Sequence, residues 1–233
     1  DNIVNYNYPV GISYTSIEPV YLPLMRNTLV SIHGQNELGR LDYIKFILAT
    51  LETNNAIAPA KVYIVDDVTR ELEVAKNLSV VANYTINAAD IVEIIKEVCD
   101  EVGNRYDEVT ANPESMDGKP LLLLIINTPI ATDIIAKNQQ AQTMYDIVTT
   151  KLRGCRACIM HSNAENVQVS YKTPELLKNL SLNATHVIFE EINQIRNVEI
   201  PLAFARANNK RLEYGDAFYI DNGVICKTKI VMS

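Results

Sequence analysis

The chain has 233 residues, 48% hydrophobic and 21% charged, which suits one large soluble domain with a full core. Its net charge of -7, with Lys and Arg scattered and Lys210-Arg211 the densest pair, argues against a nucleic-acid face. No apolar run reaches about eighteen residues, so the sequence offers no membrane span. It opens at Asp1 with neither Met nor a charged-then-apolar leader, and we expect a module excised from a longer, multi-domain membrane protein.

Strand-type and helix-type segments alternate, which predicts α/β with a mostly parallel sheet. Residues 20–24 read as a short strand leading to a second at 28–32. A helix follows over 40–53, with Leu41, Ile44, Leu48 and Leu51 on one face. Residues 60–65 form a strand ending in Asp66-Asp67, at the edge where such sheets bind ligands. A strand over 77–86 comes next. Asn87 then caps a long helix whose buried stripe is Ile91, Ile94, Ile95, Val98, Val102 and Tyr106. The run 121–128 is the most apolar in the chain and reads as a buried parallel strand.

One helix is predicted over 132–152, with Ile134, Ala141, Tyr145, Val148 and Leu152 inward and Gly154 as its stop. Residues 155–160 read as a strand. Thr173 caps a short helix at 174–180, with Pro174 in its first position. A strand at 186–189 precedes a hairpin, 215–220 and 224–230 around Asp221-Asn222-Gly223. No repeat or low-complexity linker interrupts the chain, so 1–233 is read as a single module.

The most informative stretch is 31–41, Ser-Ile-His-Gly-Gln-Asn-Glu-Leu-Gly-Arg-Leu, which has the frame of a phosphate-binding loop. Gly34 and Gly39 stand at the required separation, with Gln35, Asn36, Glu37 and Leu38 between them. Arg40-Leu41 stands where Lys then Ser/Thr belongs. In working loops the Lys reaches the β and γ phosphates and the hydroxyl ligates Mg²⁺. Leu41 has no ligand atom, and Arg40 carries its charge on a larger planar head. Glu37 puts a carboxylate where an anion should enter; like charges near 4 Å cost roughly 4 kcal/mol at a surface-like dielectric. The Mg²⁺-holding acid that should close the apolar strand falls at Ile126 or Asn127, and neither is an acid. We therefore read 34–41 as a degenerate nucleotide-binding loop with no catalytic residue and no metal ligands. No cofactor is expected, and ATP with Mg²⁺ binds weakly at most. A chance pair of glycines and a working ATPase of unusual chemistry are the alternatives.

Asp42 and Asp67 are candidate displaced Mg²⁺ ligands. Alternatively Asp42 complements the dipole of its helix and puts a fixed carboxylate near the phosphate position, a self-occupied anion site. Cys155 and Cys158 form a CxxC with His161 three residues on, a redox pair or half a zinc site. Core packing is the plainer reading, since a strand offset of three puts the sulfurs on opposite faces. Cys usage points to a reducing compartment, and the sequons at Asn77, Asn83, Asn179 and Asn183 are then chance. His33, His161 and His186 read as structural. Tyr6, Tyr8, Tyr14 and Tyr21 either brace the N-terminal segment or contact a neighbouring module. The loop 162–172 is a candidate partner contact or a solvated connection.

This ordered set resembles the FtsK/SpoIIIE type of RecA-like P-loop NTPase. Four features carry the likeness. The loop frame is preceded by Pro9-Val10-Gly11-Ile12 and Pro19-Val20-Tyr21-Leu22-Pro23-Leu24; the apolar strand follows later; a long helix lies between them; and Gly215-Asp216-Ala217-Phe218-Tyr219 opens a closing hairpin. Within that family it is most similar to the last ATPase module of type VII secretion coupling proteins (EssC/EccC). The resemblance implies a mostly parallel sheet flanked by helices with a C-terminal β-hairpin. It implies a place on the cytoplasmic side of the bacterial membrane, in a membrane-anchored protein, without insertion by this module itself. The implied partners are WXG100/Esx-like secreted substrates and neighbouring ATPase modules of the same chain, with no nucleic acid. The implied role is recruiting or recognising secreted substrates with little or no ATP hydrolysis. The rival is an active motor driving protein secretion or DNA translocation; the DNA version needs a basic channel, which the charge balance disfavours.

Overall fold

A computed structural model describes residues 5–230. Its strands are β1 (Asn7–Ser13), β2 (Pro19–Pro23), β3 (Leu29–Gly34), β4 (Ala60–Val65), β5 (Val81–Thr85), β6 (Leu121–Ile126), β7 (Ala157–Ser162), β8 (Thr185–Phe189), β9 (Asp216–Asp221) and β10 (Val224–Lys229). They make one sheet in the order β2-β1-β10-β9-β8-β3-β7-β6-β4-β5. From β8 to β5 all pairings are parallel; from β8 back to β2 all are antiparallel. The helices are α1 (Arg40–Asn54), α2 (Ile91–Ala111), α3 (Pro129–Lys137), α4 (Gln139–Lys151), α5 (Glu175–Asn183) and α6 (Leu202–Ala207). This is the RecA-like P-loop NTPase architecture expected from the sequence, closing hairpin included.

β6 shows why the fold holds. All six of its residues are buried. Leu121, Leu123 and Ile125 enter one hydrophobic cluster with Ile32, Ile44, Ile47 and Phe189. Leu122, Leu124 and Ile126 enter the other, with Ile94, Val98, Tyr145 and Ile159. A strand covered on both faces has no reason to alternate polar and apolar residues. Each such side chain contributes roughly 1.5–3 kcal/mol through burial. The strand expected over 155–160 is Ala157–Ser162: Cys155 stands in the turn before it, with Arg156 at φ 49, so although Cys158 packs in the first cluster and Cys155 in the second, the strand offset is not what separates them. The hairpin turn has Asn222 at φ 47 and Gly223 at φ 80, the left-handed pair that a two-residue turn needs.

Several expectations need correction. β1 is absent from the sequence reading because Pro9 and Gly11 break its pattern; it pairs with β2, a few residues on, and with β10 at the far end of the chain. The strand expected over 77–86 is only Val81–Thr85, preceded by a 3-10 turn at Glu73–Asn77. At the end of α2 the stripe turns: Tyr106 is 38% exposed and Arg105 is buried instead. The Arg105 guanidinium donates to the carbonyls of Pro120, Cys155 and Arg156, and pairs with Glu101. Thr173 caps nothing, since its hydroxyl accepts from the Ser170 amide, and α5 starts after Pro174.

The helix expected over 132–152 is two helices. Thr128 caps α3, and Asn138 sits extended at φ -106 while its side chain accepts from the Ala141 amide. Asn138 is thus the N-cap of α4. Asn138→Ala should lower the unfolding free energy by about 1 kcal/mol, read as a shifted urea midpoint with an unchanged slope; an unmoved midpoint would contradict the cap.

Candidate functional site

The site is assembled where β3, β4, β6 and β7 end. At Gly34 (φ 112) an added Cβ would lie 2.2 Å from the Phe189 carbonyl oxygen, so only glycine lets β3 finish against β8. The Gln35 amide donates to that same oxygen at 2.7 Å. Asn36–Leu38 form a 3-10 turn, and Gly39 (φ 103) leads into α1. Within the turn the Leu38 amide donates to Gln35 O and the Gly39 amide to Asn36 O. The Leu38 carbonyl accepts from the Gly215 amide at 2.9 Å, and its side chain is buried in the core. Phosphate-gripping loops aim such amides at the anion. Here the amides of Gln35, Leu38 and Gly39 are engaged by carbonyls.

Arg40 starts α1 and is only 2% exposed. Its Nε donates to Asn36 Oδ1 at 3.0 Å, and its Nη1 to Asn127 Oδ1 at 3.1 Å and Ser162 Oγ at 2.8 Å. Its Nη2 pairs with Glu71 Oε2 at 3.1 Å. Burial pulls its pKa below the ordinary guanidinium value, while Glu71 and Asp66 oppose that pull. Leu41 faces hydrophobic neighbours of the core. Ile126 is likewise core. Asn127 is 0% exposed and ties the site together. Its Nδ2 donates to Asp66 Oδ1 at 2.8 Å and Glu71 Oε2 at 3.1 Å, and its Oδ1 accepts from Ser162 Oγ at 2.7 Å. Asn36 Nδ2 donates to Glu71 Oε1 at 3.1 Å.

Asp66 is buried, and its Oδ2 accepts from the Leu72 amide and the Tyr84 hydroxyl, both at 2.8 Å. Burial and Asp66 together push the Tyr84 hydroxyl pKa well up. Asp67 accepts from Thr69 and Thr128. Burial opposes its ionisation, but those hydrogen bonds outweigh it and hold its carboxyl below the usual range. The site is therefore a polar network in which one guanidinium serves two carboxylates, those of Glu71 and Asp66.

Two expected roles shift. Glu37 is exposed, and Asp42 in the first turn of α1 accepts from the Tyr214 hydroxyl at 2.8 Å on the outside. The carboxylate that meets Arg40 is Glu71, on the loop after β4. Sequence reasoning missed it. The signal available was Arg40 itself: a buried guanidinium must find an acid, and Asp66-Asp67 marked the loop that supplies one. The histidines are all buried. His33 Nε2 lies 3.1 Å from Asn197 Nδ2, and His161 Nε2 lies 2.7 Å from the Tyr145 hydroxyl. Tyr6 is buried with its hydroxyl on Pro59 O, and Tyr8 is buried too, whereas Tyr14 and Tyr21 are exposed. In the loop 162–172, Asn166 binds Glu190, the Gln194 carbonyl and the Arg196 and Asn197 amides, while Tyr171 is 85% exposed. A cleft of about 930 Å³ opens at the other end of β3 and β8, lined by Asn27, His186, Asn197 and Asp221 among others.

No protein-family model and no curated protein matches the chain. Solved structures do. EccC of Thermomonospora curvata (ATPases 2 and 3, in complex with a signal sequence peptide) aligns with a TM-score of 0.69 and 12% identity, covering 99% of this chain and 41% of that one. The cytoplasmic domain of EssC aligns with a TM-score of 0.73 and 14% identity, over 100% of this chain and 45% of that one. The pCW3 conjugation coupling protein TcpA, a monomer form with ATPγS, aligns with a TM-score of 0.71 and 12% identity, over 100% and 68%. This chain thus spans under half of the solved EccC and EssC chains. At such identities the likeness establishes the fold, and the fold is that of the ATPase modules in these secretion and conjugation proteins.

Proposed function

We propose that this chain is a degenerate ATPase module of a type VII secretion coupling protein, on the cytoplasmic side of a bacterial membrane. It recruits or recognises secreted protein substrates of the WXG100/Esx-like kind and packs against neighbouring ATPase modules of the same chain. Among the described residues no helix is long and apolar enough to cross a membrane. The observation that carries the reading is the closed cradle. Arg40 is held by Asn36, Asn127, Ser162 and Glu71, so it is not free to reach a triphosphate. Leu41 and Asn127 supply neither a hydroxyl nor a carboxylate for Mg²⁺. The EccC neighbour with its bound signal sequence peptide supports peptide recognition as the remaining role of such a module. Coupling would then come from partner binding that favours one arrangement of modules over another.

Phosphate release from the pure chain with Mg·ATP tests the reading. We expect a rate indistinguishable from buffer. Brisk release that Arg40→Ala abolishes would establish the motor instead.

A further inference from the structure

We propose that the Arg40–Asn36–Asn127 cradle is a receptor for a single carboxylate, which Glu71 fills from within and which a free carboxylate can fill when Glu71 is removed. The inference rests on the degenerate-site reading and names the ligand class of that site.

The geometry is that of a ligand in a pocket. Both Glu71 oxygens are gripped: Oε1 by Asn36 Nδ2, and Oε2 by Arg40 Nη2 and Asn127 Nδ2, each at 3.1 Å. The three donors come from three different segments, the loop before α1, the start of α1 and the residue after β6. Each donor is fixed by other bonds. Arg40 is held by Ser162 and by the side-chain oxygens of Asn36 and Asn127, and Asn127 by Asp66 and Ser162. The cradle therefore keeps its shape without Glu71. Glu71 itself is partly exposed, so the pocket has a mouth to solvent.

Charge selects the ligand. Arg40 is the cation, and the buried Asp66 already opposes it through Asn127. Without Glu71 the pair sums to zero. A monoanionic carboxylate restores the native balance, whereas a phosphate dianion adds a second uncompensated charge beside Asp66, and a triphosphate adds more. Two donors on one oxygen and one on the other also fit a planar two-oxygen anion better than a tetrahedral one.

The test is chemical rescue. Glu71→Ala should melt roughly 5–10 °C below the parent chain. Sodium formate should raise that melting point saturably, at concentrations where equal ionic strength of sodium chloride does not, and the parent chain should not respond. Phosphate should restore little. If formate fails to act on folded Glu71→Ala, or acts equally on the parent, the proposal is overturned. Rescue by phosphate as strong as by formate overturns the carboxylate assignment. Should Glu71→Ala not stay folded, formate in the refolding buffer should recover soluble protein where chloride does not, and no recovery counts against the proposal. None of these readouts uses ATP, so ATP turnover by the parent chain would sink the degenerate-site reading without deciding this one.

Discussion

Arg40→Leu should lower the unfolding free energy by about 3–5 kcal/mol, the range for removing one partner of a buried ion pair. Leucine fills part of the space but leaves the Glu71 and Asp66 carboxylates and the Asn127 and Ser162 dipoles without their cation. Arg40→Lys should lose less, about 1–2 kcal/mol. An ammonium keeps the charge but cannot span Asn36, Asn127, Ser162 and Glu71 at once. The double variant Arg40→Leu/Glu71→Leu should recover a large share of the loss, because removing both partners leaves one fewer orphaned charge. Guanidinium unfolding at pH 7 reads all three. A loss below about 1 kcal/mol for Arg40→Leu would mean the network bears no weight.

Acid should destabilise the chain through its buried histidines, well before the carboxylates held low in the folded state protonate. Burial holds His33 and His161 down to about 3 and His186 to about 4, with Arg40 and His186 adding to the effect on His33. In the unfolded chain each titrates near 6.5. The folded state therefore holds neutral imidazoles while the unfolded state takes up protons. Stability contributed this way is present above about pH 6.5 and is lost as pH falls towards the folded values. Between pH 7 and pH 5 each histidine removes about 2 kcal/mol, and the three together on the order of 6 kcal/mol, comparable to a large part of a typical domain's stability. Asp67, Glu101 and Asp216, all held below the usual carboxylate range, add their own losses only at lower pH. Urea midpoints measured at half-unit steps should fall steeply from pH 6.5 to 5. His161→Asn should flatten the slope by about a third. A level plateau down to pH 5 would show that the histidines reach water in the native state.

Much of the frame was legible because local rules and the global fold agree in it. Gly34 and Gly39 both adopt left-handed backbone. β6 is apolar because both of its faces are covered. Asn222-Gly223 writes its own turn. What was hidden lies where local signals mislead or partners are distant. Pro9 and Gly11 disguise β1, which pairs with the adjacent β2 and with β10 at the other end of the chain. Asn138 reads as helix interior until its side chain is seen to bond Ala141. Arg105 and Tyr106 exchange places because carbonyls at the start of β6 and β7 suit a guanidinium. Spacing singled out Gly34 to Leu41 and Ile126-Asn127 as candidates, and of these the structure brings Arg40 and Asn127 together. Glu71 was not found, because no motif specifies an acid on that loop. The carboxylate that meets Arg40 is Glu71 and not Asp42, and only the topology that sets β4 beside β6 puts it there.

Glu71 occupies the Arg40, Asn36 and Asn127 donors, and we propose that this excludes a metal–nucleotide pair. Titration calorimetry of the pure chain with Mg·ATP tests this most directly. No saturable heat is expected with ATP in the range of tens of micromolar. A dissociation constant tighter than roughly 10 µM, about 7 kcal/mol of binding, would contradict it.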